Sequence, residues 1–301
     1  MFDRLILTED LLDSRGVRIA ARGTVLSAQS IAEVARRTPP PARHALADTA
    51  LAAEVDVPLR EPAYKHLFAG EGVRDAIRRA LLGVRLPDPL LEELFAMRRE
   101  APLLHVHAFA TAAVAVRVLL SVVGAARTLP ELALAALLHD LGMRHVPPRL
   151  FRQREGLTKG DATRIASHPL IGAYHVASML GSHPAVDAAR CHHWRCGQGY
   201  PTLQAAPSRS VEVISVASSF AALTQPRPFR ASVYDARGAS DVLAAEAVSG
   251  HADANTVKLL VHALRGGRGD LRAIRFGRPR EGHGPDVHRY VHVAAPARSP
   301  V

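Results

Sequence analysis

Six residues of this chain have the types and order to hold metal: His107, the adjacent His139 and Asp140, His168, and the adjacent His192 and His193. Neutral imidazole and ionised carboxylate are the groups that helical bundles use to build metal centres in their interiors. Such a centre polarises phosphoryl oxygens and activates water. Neighbouring residues on a continuous helix diverge by about 100°. Each adjacent pair can therefore reach one centre only where its helix ends. Gly142 marks such an end after His139 and Asp140, and residues 194–197 supply one after His192 and His193. Any one histidine alone is a packed or solvated side chain; the ordered set carries the reading. His105 is the control, since it lies two residues before His107 and so on the opposite face of one helix. His145, His175 and His183 have no matching partner pattern and read as structural or surface residues.

The elements that must position this set are mostly helices. Asp88 is a candidate cap for a helix over 89–99, and Pro102 opens a long Ala/Val/Leu-rich helix to about 123. Pro130 opens the next, which ends near Gly142 before Pro147 and Pro148. Further helices are expected at 158–180, 184–195, 209–224, 239–249 and 254–265, with no strand signal between 87 and 265. Residues 1–37 read as a small strand-turn-strand-helix unit. Asp13-Ser14-Arg15-Gly16 makes its turn, and Ser27 can cap a helix through Arg37. Thr38 to Pro41 breaks regular structure, and residues 38–86 read as a linker with short helices around 44–54 and 71–82. The sequence divides into 1–37, 38–86, 87–265 and 266–301. The last segment is a basic Gly/Arg-rich tail or a terminal hairpin, with alternating runs at 271–276 and 287–293.

Composition narrows the function classes. The 301 residues are 48% hydrophobic and 22% charged, which excludes a disordered or collagen-like chain. The 16 histidines outnumber all Phe, Tyr and Trp together. Two cysteines cannot make a disulfide framework, which fits a reducing, cytoplasmic setting. No signal-peptide core is apparent at the N-terminus, and the apolar stretch 103–126, broken by His105, His107 and Arg117, reads as a core helix with no membrane span. The net charge of +10 comes from scattered arginines without interleaved aromatics, so nucleic acid is the least supported partner.

LLHDLG, HPLIG and HHWRCGQGYP occur in that order. Together they resemble the HD-GYP branch of the HD superfamily of metal-dependent phosphohydrolases. The resemblance runs from about His107 to about residue 265. It implies a mainly α fold, a helical HD-domain bundle preceded by a small N-terminal α/β unit. It also implies a bacterial signalling phosphodiesterase whose substrate class is cyclic di-GMP. It makes His107, His139, Asp140, His168, His192 and His193 the metal ligands, with one or two divalent ions, iron or manganese. His139 and Asp140 become the catalytic pair. Gly199-Tyr200-Pro201 is the motif that names the branch, and Tyr200, Arg227 and Arg230 become ligand-binding residues.

Four departures from that pattern fall on five positions. Ser218 stands where the family has an aspartate ligand, and a hydroxyl is a poor ligand for a divalent ion. Met143 replaces a lysine after the HDxG motif. The acids of the family's HHE and DGxGYP segment are absent, with Trp194 after the His pair and Cys196 before Gly197. Leu103 stands where three-metal members carry a glutamate. All four changes replace charged groups by neutral ones around one site. Two functions follow. One is a metal-dependent phosphodiesterase acting on a cyclic dinucleotide or other phosphate ester. The other is a non-catalytic domain that senses a cyclic nucleotide or docks a signalling protein. An acid such as Asp187, Glu212 or Asp235 near the centre would compensate for Ser218.

Overall fold

The computed structural model describes residues 3–152, 157–227 and 232–276. The fold is a helical bundle preceded by a small α/β unit. In that unit β1 (Arg4–Ile6) pairs antiparallel with β4 (Val25–Ser27), and β2 (Leu11–Leu12) with β3 (Arg18–Ala20). Asp13 makes the turn between β2 and β3. Its carboxylate accepts the N–H groups of Arg15 at 2.9 Å and Val17 at 2.8 Å, a short-range alternative to strand pairing. Ser27 caps α1 (Ala28–Arg37) in a reciprocal pair with Ser30, and α1 packs on a helix of the bundle.

Residues 38–86 are more ordered than a linker. They hold β5 (His44–Ala45), α2 (Asp56–Arg60), α3 (Val73–Leu82) and β6 (Arg85–Leu86), with β5 paired to β6. Leu46, Leu51, Val55, Leu67 and Phe68 of this stretch are buried, which ties it to the main core.

The bundle follows as α4 (Asp88–Glu100), α5 (Pro102–Val123), α6 (Leu129–Leu138), α7 (Arg149–Arg152), α8 (Lys159–Ala166), α9 (His168–Leu180) and α10 (Pro184–Cys191). A hairpin of β7 (Trp194–Arg195) and β8 (Gln198–Gly199) precedes α11 (Arg209–Thr224), α12 (Ala236–Val248) and α13 (Ala254–Leu264). Helix α5 is the axis, apolar on nearly every side and packed on α4, α6, α11 and α13. Its alanines at 112, 113 and 115 are buried and let neighbours approach closely. By length and composition α5 could cross a membrane, but 72% of its apolar window is buried inside the fold.

Several boundaries differ from the sequence expectation. Asp88 is the first helical residue and not a cap; its carboxylate lies 3.4 Å from His44 Nε2. The expected helix over 158–180 is two helices, because Pro169 has no N–H to continue the first. The β7–β8 hairpin is too short for any alternation to announce it. Residues 271–273 form a 3₁₀ turn and no strand, and the run at 287–293 lies outside the described residues.

Candidate metal centre

The ligand pairs sit where their helices stop. His139 is the residue after α6, still helical, and Asp140 leaves the helix at φ −102°, ψ 13°. A 3₁₀ turn over 141–145 follows. Gly142 and Gly172 let this turn lie against α9, backbone to backbone. A Cβ at Gly142 would stand 2.0 Å from the His168 carbonyl oxygen and 2.6 Å from the Gly172 nitrogen. The glycines of LLHDLG and HPLIG are thus each other's packing partners, and their contact carries His168 to Asp140.

The third motif works through its hairpin. Trp194 pairs with Gly199 and Arg195 with Gln198, with Cys196 and Gly197 between them. Both turn residues take positive φ, 49° and 90°, as a type I′ turn requires. A Cβ at Gly199 would lie 2.0 Å from the His193 carbonyl oxygen, so the returning strand crosses directly over His193. Tyr200 then stacks on the His193 ring, with centroids 4.4 Å apart and planes at 21°. Arg195 ties the hairpin to α11 by donating to Ser215 at 2.6 Å and Ser219 at 3.0 Å.

All six expected residues converge. Their ligand atoms form two groups, one of Asp140, His168, His192 and His193 and one of His107, His139 and Asp140. Asp140 belongs to both. Its Oδ1 lies 3.1 Å from the Nε2 atoms of His168 and His192, while Oδ2 lies 3.4 Å from His139 Nε2 and 3.5 Å from His107 Nε2.

The outer ring nitrogens fix which atoms face inward. His139 Nδ1–H donates to the Ala136 carbonyl at 2.7 Å, and His168 Nδ1–H to that of Ile165 at 2.6 Å. His192 Nδ1–H is shared between the carbonyls of Ala188 and Ala189, and His107 Nδ1 meets Gln225 Oε1 at 3.1 Å. This leaves four Nε2 lone pairs pointing at one carboxylate, the arrangement that orients ligating histidines.

Burial dominates the electrostatics. It pushes His107 down to about 3 and His192 down to about 4, and it holds His193 well below the usual imidazole range. Burial also acts to raise Asp140, but His139, His168 and His192 outweigh it and keep that carboxyl well below its ordinary value. His168 Nε2 and His192 Nε2 face each other at 3.2 Å. Two imidazole lone pairs at that distance repel unless a proton or a metal ion lies between them. The residues therefore fit a divalent ion.

Ser218 projects from α11 into the half of the centre that holds His107 and His139. Its Oγ lies 3.3 Å from His107 Nε2 and 3.1 Å from His139 Nε2. One hydroxyl has one proton, so it can satisfy one of these acceptors and not both. The proposed compensating acids are elsewhere. Asp187 pairs with Arg190, Glu212 with Arg209, and Asp235 caps α12. Among the described residues neither ligand group contains a second carboxylate.

Met143 is buried in the core, and Leu103 points to solvent at 46% exposure, so neither supplies a donor. Arg227 is close enough for its charge to help depress His107. Arg230 lies outside the described residues. His105 turns away, as its spacing requires, to within 3.5 Å of Glu54 Oε2. Sequence reading missed Gln225, the partner of His107 Nδ1. Its only signal was its place beside the Arg227 segment.

The chain belongs to the HD domain family, whose pattern matches residues 89–256, more than half of its length. Within the family its three ordered motifs place it in the HD-GYP branch. Over 108 residues it is 35% identical to 3'3'-cGAMP-specific phosphodiesterase 1 of Vibrio cholerae, an alignment covering 34% of this chain and 24% of that protein. The chain thus spans about a quarter of the length of that relative. Two solved structures align at lower similarity. One is Bd1817, an HDG"Y"P protein from Bdellovibrio bacteriovorus, with 18% identity and a TM-score of 0.45 over 79% of this chain and 78% of the other. The other is the HD domain of the L. monocytogenes phosphodiesterase PgpH in complex with cyclic-di-AMP. It has 17% identity and a TM-score of 0.43, over 58% of this chain and 95% of that one.

Proposed function

We propose that this chain is a metal-dependent phosphodiesterase acting on a cyclic dinucleotide, with cyclic di-GMP and 3'3'-cGAMP as the first candidates. The observation that carries the reading is the convergence of five imidazoles and one shared carboxylate in two overlapping donor groups. A bound divalent ion supplies Lewis-acid polarisation of a phosphoryl oxygen and activation of water. Asp140 is held ionised by its histidine neighbours. In this reading it orients the attacking water and accepts its proton as the new P–O bond forms, and that proton passes to the departing ester oxygen as the old P–O bond breaks. His139 holds Asp140 in place from the adjacent position. Arg227, permanently charged, lies close enough to act on His107 and is suited to a phosphate oxygen. The ring of Tyr200, stacked on His193, fixes that ligand and presents an apolar face beside it.

The two halves of the centre differ in this reading. Asp140, His168, His192 and His193 provide four donors to one ion, iron or manganese. His107, His139 and Asp140 provide three, with the Ser218 hydroxyl as a weak fourth. We assign the tighter ion to the first half. Ser218 also favours a second reading, a domain that binds a cyclic nucleotide or a signalling partner without hydrolysing it. Incubating manganese- or iron-loaded protein with each cyclic dinucleotide and separating the products by chromatography decides between them. Linear dinucleotide or mononucleotide supports the enzyme. Binding without turnover supports the sensor, and neither binding nor turnover leaves only protein docking.

A further inference from the structure

The bundle buries a second ionised cluster, away from the metal centre. Glu93, on α4, is fully buried. Its Oε2 is paired with Arg144 Nη1, and its Oε1 accepts the Ser14 backbone N–H at 2.6 Å. His175 Nε2 lies 3.5 Å from the same Oε1, and His145 Nε2 stands 3.3 Å from His175 Nδ1. Burial acts to raise the Glu93 carboxyl, but His175, Arg144 and the Ser14 N–H together hold it down to about 2. Arg144 also reaches Glu100 at 3.4 Å on the solvent side.

Two partners of Glu93 lie on elements that carry or adjoin candidate ligands, and Glu93's own helix leads into a third. Helix α4 runs through Ala101 into α5, which carries His107. Arg144 belongs to the 3₁₀ turn that follows Asp140, and that turn is closed by the Met143 N–H on the Asp140 carbonyl at 2.9 Å. His175 lies on α9, two turns beyond His168. Ser14 is the second residue of the β2–β3 turn, whose Gly16 N–H closes on the Asp13 carbonyl at 3.0 Å. A buried ion pair adds little net stability over packed apolar side chains of the same volume. Breaking one leaves an uncompensated charge, so the pair resists changes in the relative placement of the elements that carry it.

We propose that Glu93 is a positioning residue for the metal centre, and that the N-terminal unit acts on the centre through it, along the line Ser14–Glu93–Arg144. The inference rests on the metal-centre reading. Moving the β2–β3 turn withdraws one donor from the buried carboxylate and loosens the setting of Arg144, and with it the turn that begins at Asp140. The N-terminal unit thereby becomes an input to ligand geometry and not only a covering for α9.

The test uses the full chain and manganese titrated by calorimetry, beside thermal unfolding of the metal-free protein. Ser14→Pro removes the N–H, together with the buried Ser14 hydroxyl, at the turn position proline favours. Glu93→Gln keeps the side-chain shape and removes the charge held by Arg144. Both variants are expected to bind manganese roughly 10-fold more weakly, the loss typical of groups that orient ligands. Ser14→Pro is expected to lower the unfolding midpoint less than Glu93→Gln does, since it removes one of several donors to the carboxylate. Unchanged manganese affinity in Ser14→Pro and Glu93→Gln, with or without a lower midpoint, overturns the positioning role and leaves a structural clamp. A wild-type chain that binds no manganese overturns the metal-centre reading itself, and the positioning role with it.

Discussion

The two halves of the centre share Asp140 and differ in what surrounds it. Around Oδ1, His168 and His192 stand at 3.1 Å, and His193 completes the group under Tyr200. Around Oδ2, His107 and His139 stand slightly farther off, and Ser218 fills the remaining side. The difference lies in charge more than in position. A bundle can keep the geometry of a ligand while losing its anion, because the helix that carries the residue is set by packing along its whole length. Helix α11 packs along α5 through its whole apolar face, of which position 218 is one residue.

The largest effect should come from the shared group. Asp140→Asn is expected to empty both halves, which elemental analysis after dialysis would read as no retained ion. Ions retained at the wild-type number would show that the carboxylate is not shared. Removing one imidazole from each half tests the asymmetry next. His192→Ala is expected to lose the tightly held ion, a drop of roughly 100-fold or more in affinity. His107→Ala should leave that ion in place and remove only a weaker one. Equal losses from the two variants would make the halves equivalent.

Restoring the carboxylate has a smaller and opposite effect. Ser218→Asp should tighten the weaker position by roughly 10-fold, and in an active enzyme raise turnover by about 10²-fold, the scale of one electrostatic stabiliser. A calorimetric titration with no second tight phase would contradict it.

A last effect is on stability against pH in the metal-free chain. His107, His192 and His145 have pKa values depressed from 6.5 to about 3, 4 and 3. Below 6.5 the unfolded chain takes up protons that the folded chain refuses, so stability is full above 6.5 and falls as pH drops toward about 3. Glu93, depressed from 4.5 to about 2, adds a further loss below 4.5. Denaturant midpoints that stay level between pH 7 and 4 would show these groups to be solvated.

Much of the centre was legible in advance because its motifs are local. His139 and Asp140 needed a helix end, and Gly142 supplied it within three residues. Helix α11 was readable at Arg209–Thr224 from its apolar run alone. Legibility failed where the cause is distant in sequence. Gln225 meets His107 across 118 residues, and Ser14 meets Glu93 across 79. His145 and His175 read as structural or surface residues with no partner named, because His175 meets Glu93 on another helix and His145 meets His175 thirty residues away. The β7–β8 hairpin escaped because two-residue strands have no period to read.

The sequence by itself determined the six ligand types, their order, and the helix ends that let adjacent residues face one point. It also placed a neutral hydroxyl, Ser218, where the resemblance implies a carboxylate. Only the tertiary structure decided how those donors divide. The close approach of Gly142 and Gly172 and the path of α11 set His168 and His192 at one oxygen of Asp140 and His107 and His139, with Ser218 beside them, at the other. That division depends on backbone surfaces meeting at distances of a few ångströms. A linear pattern records which residues are small enough to permit such a meeting, but packing alone selects which of them meet.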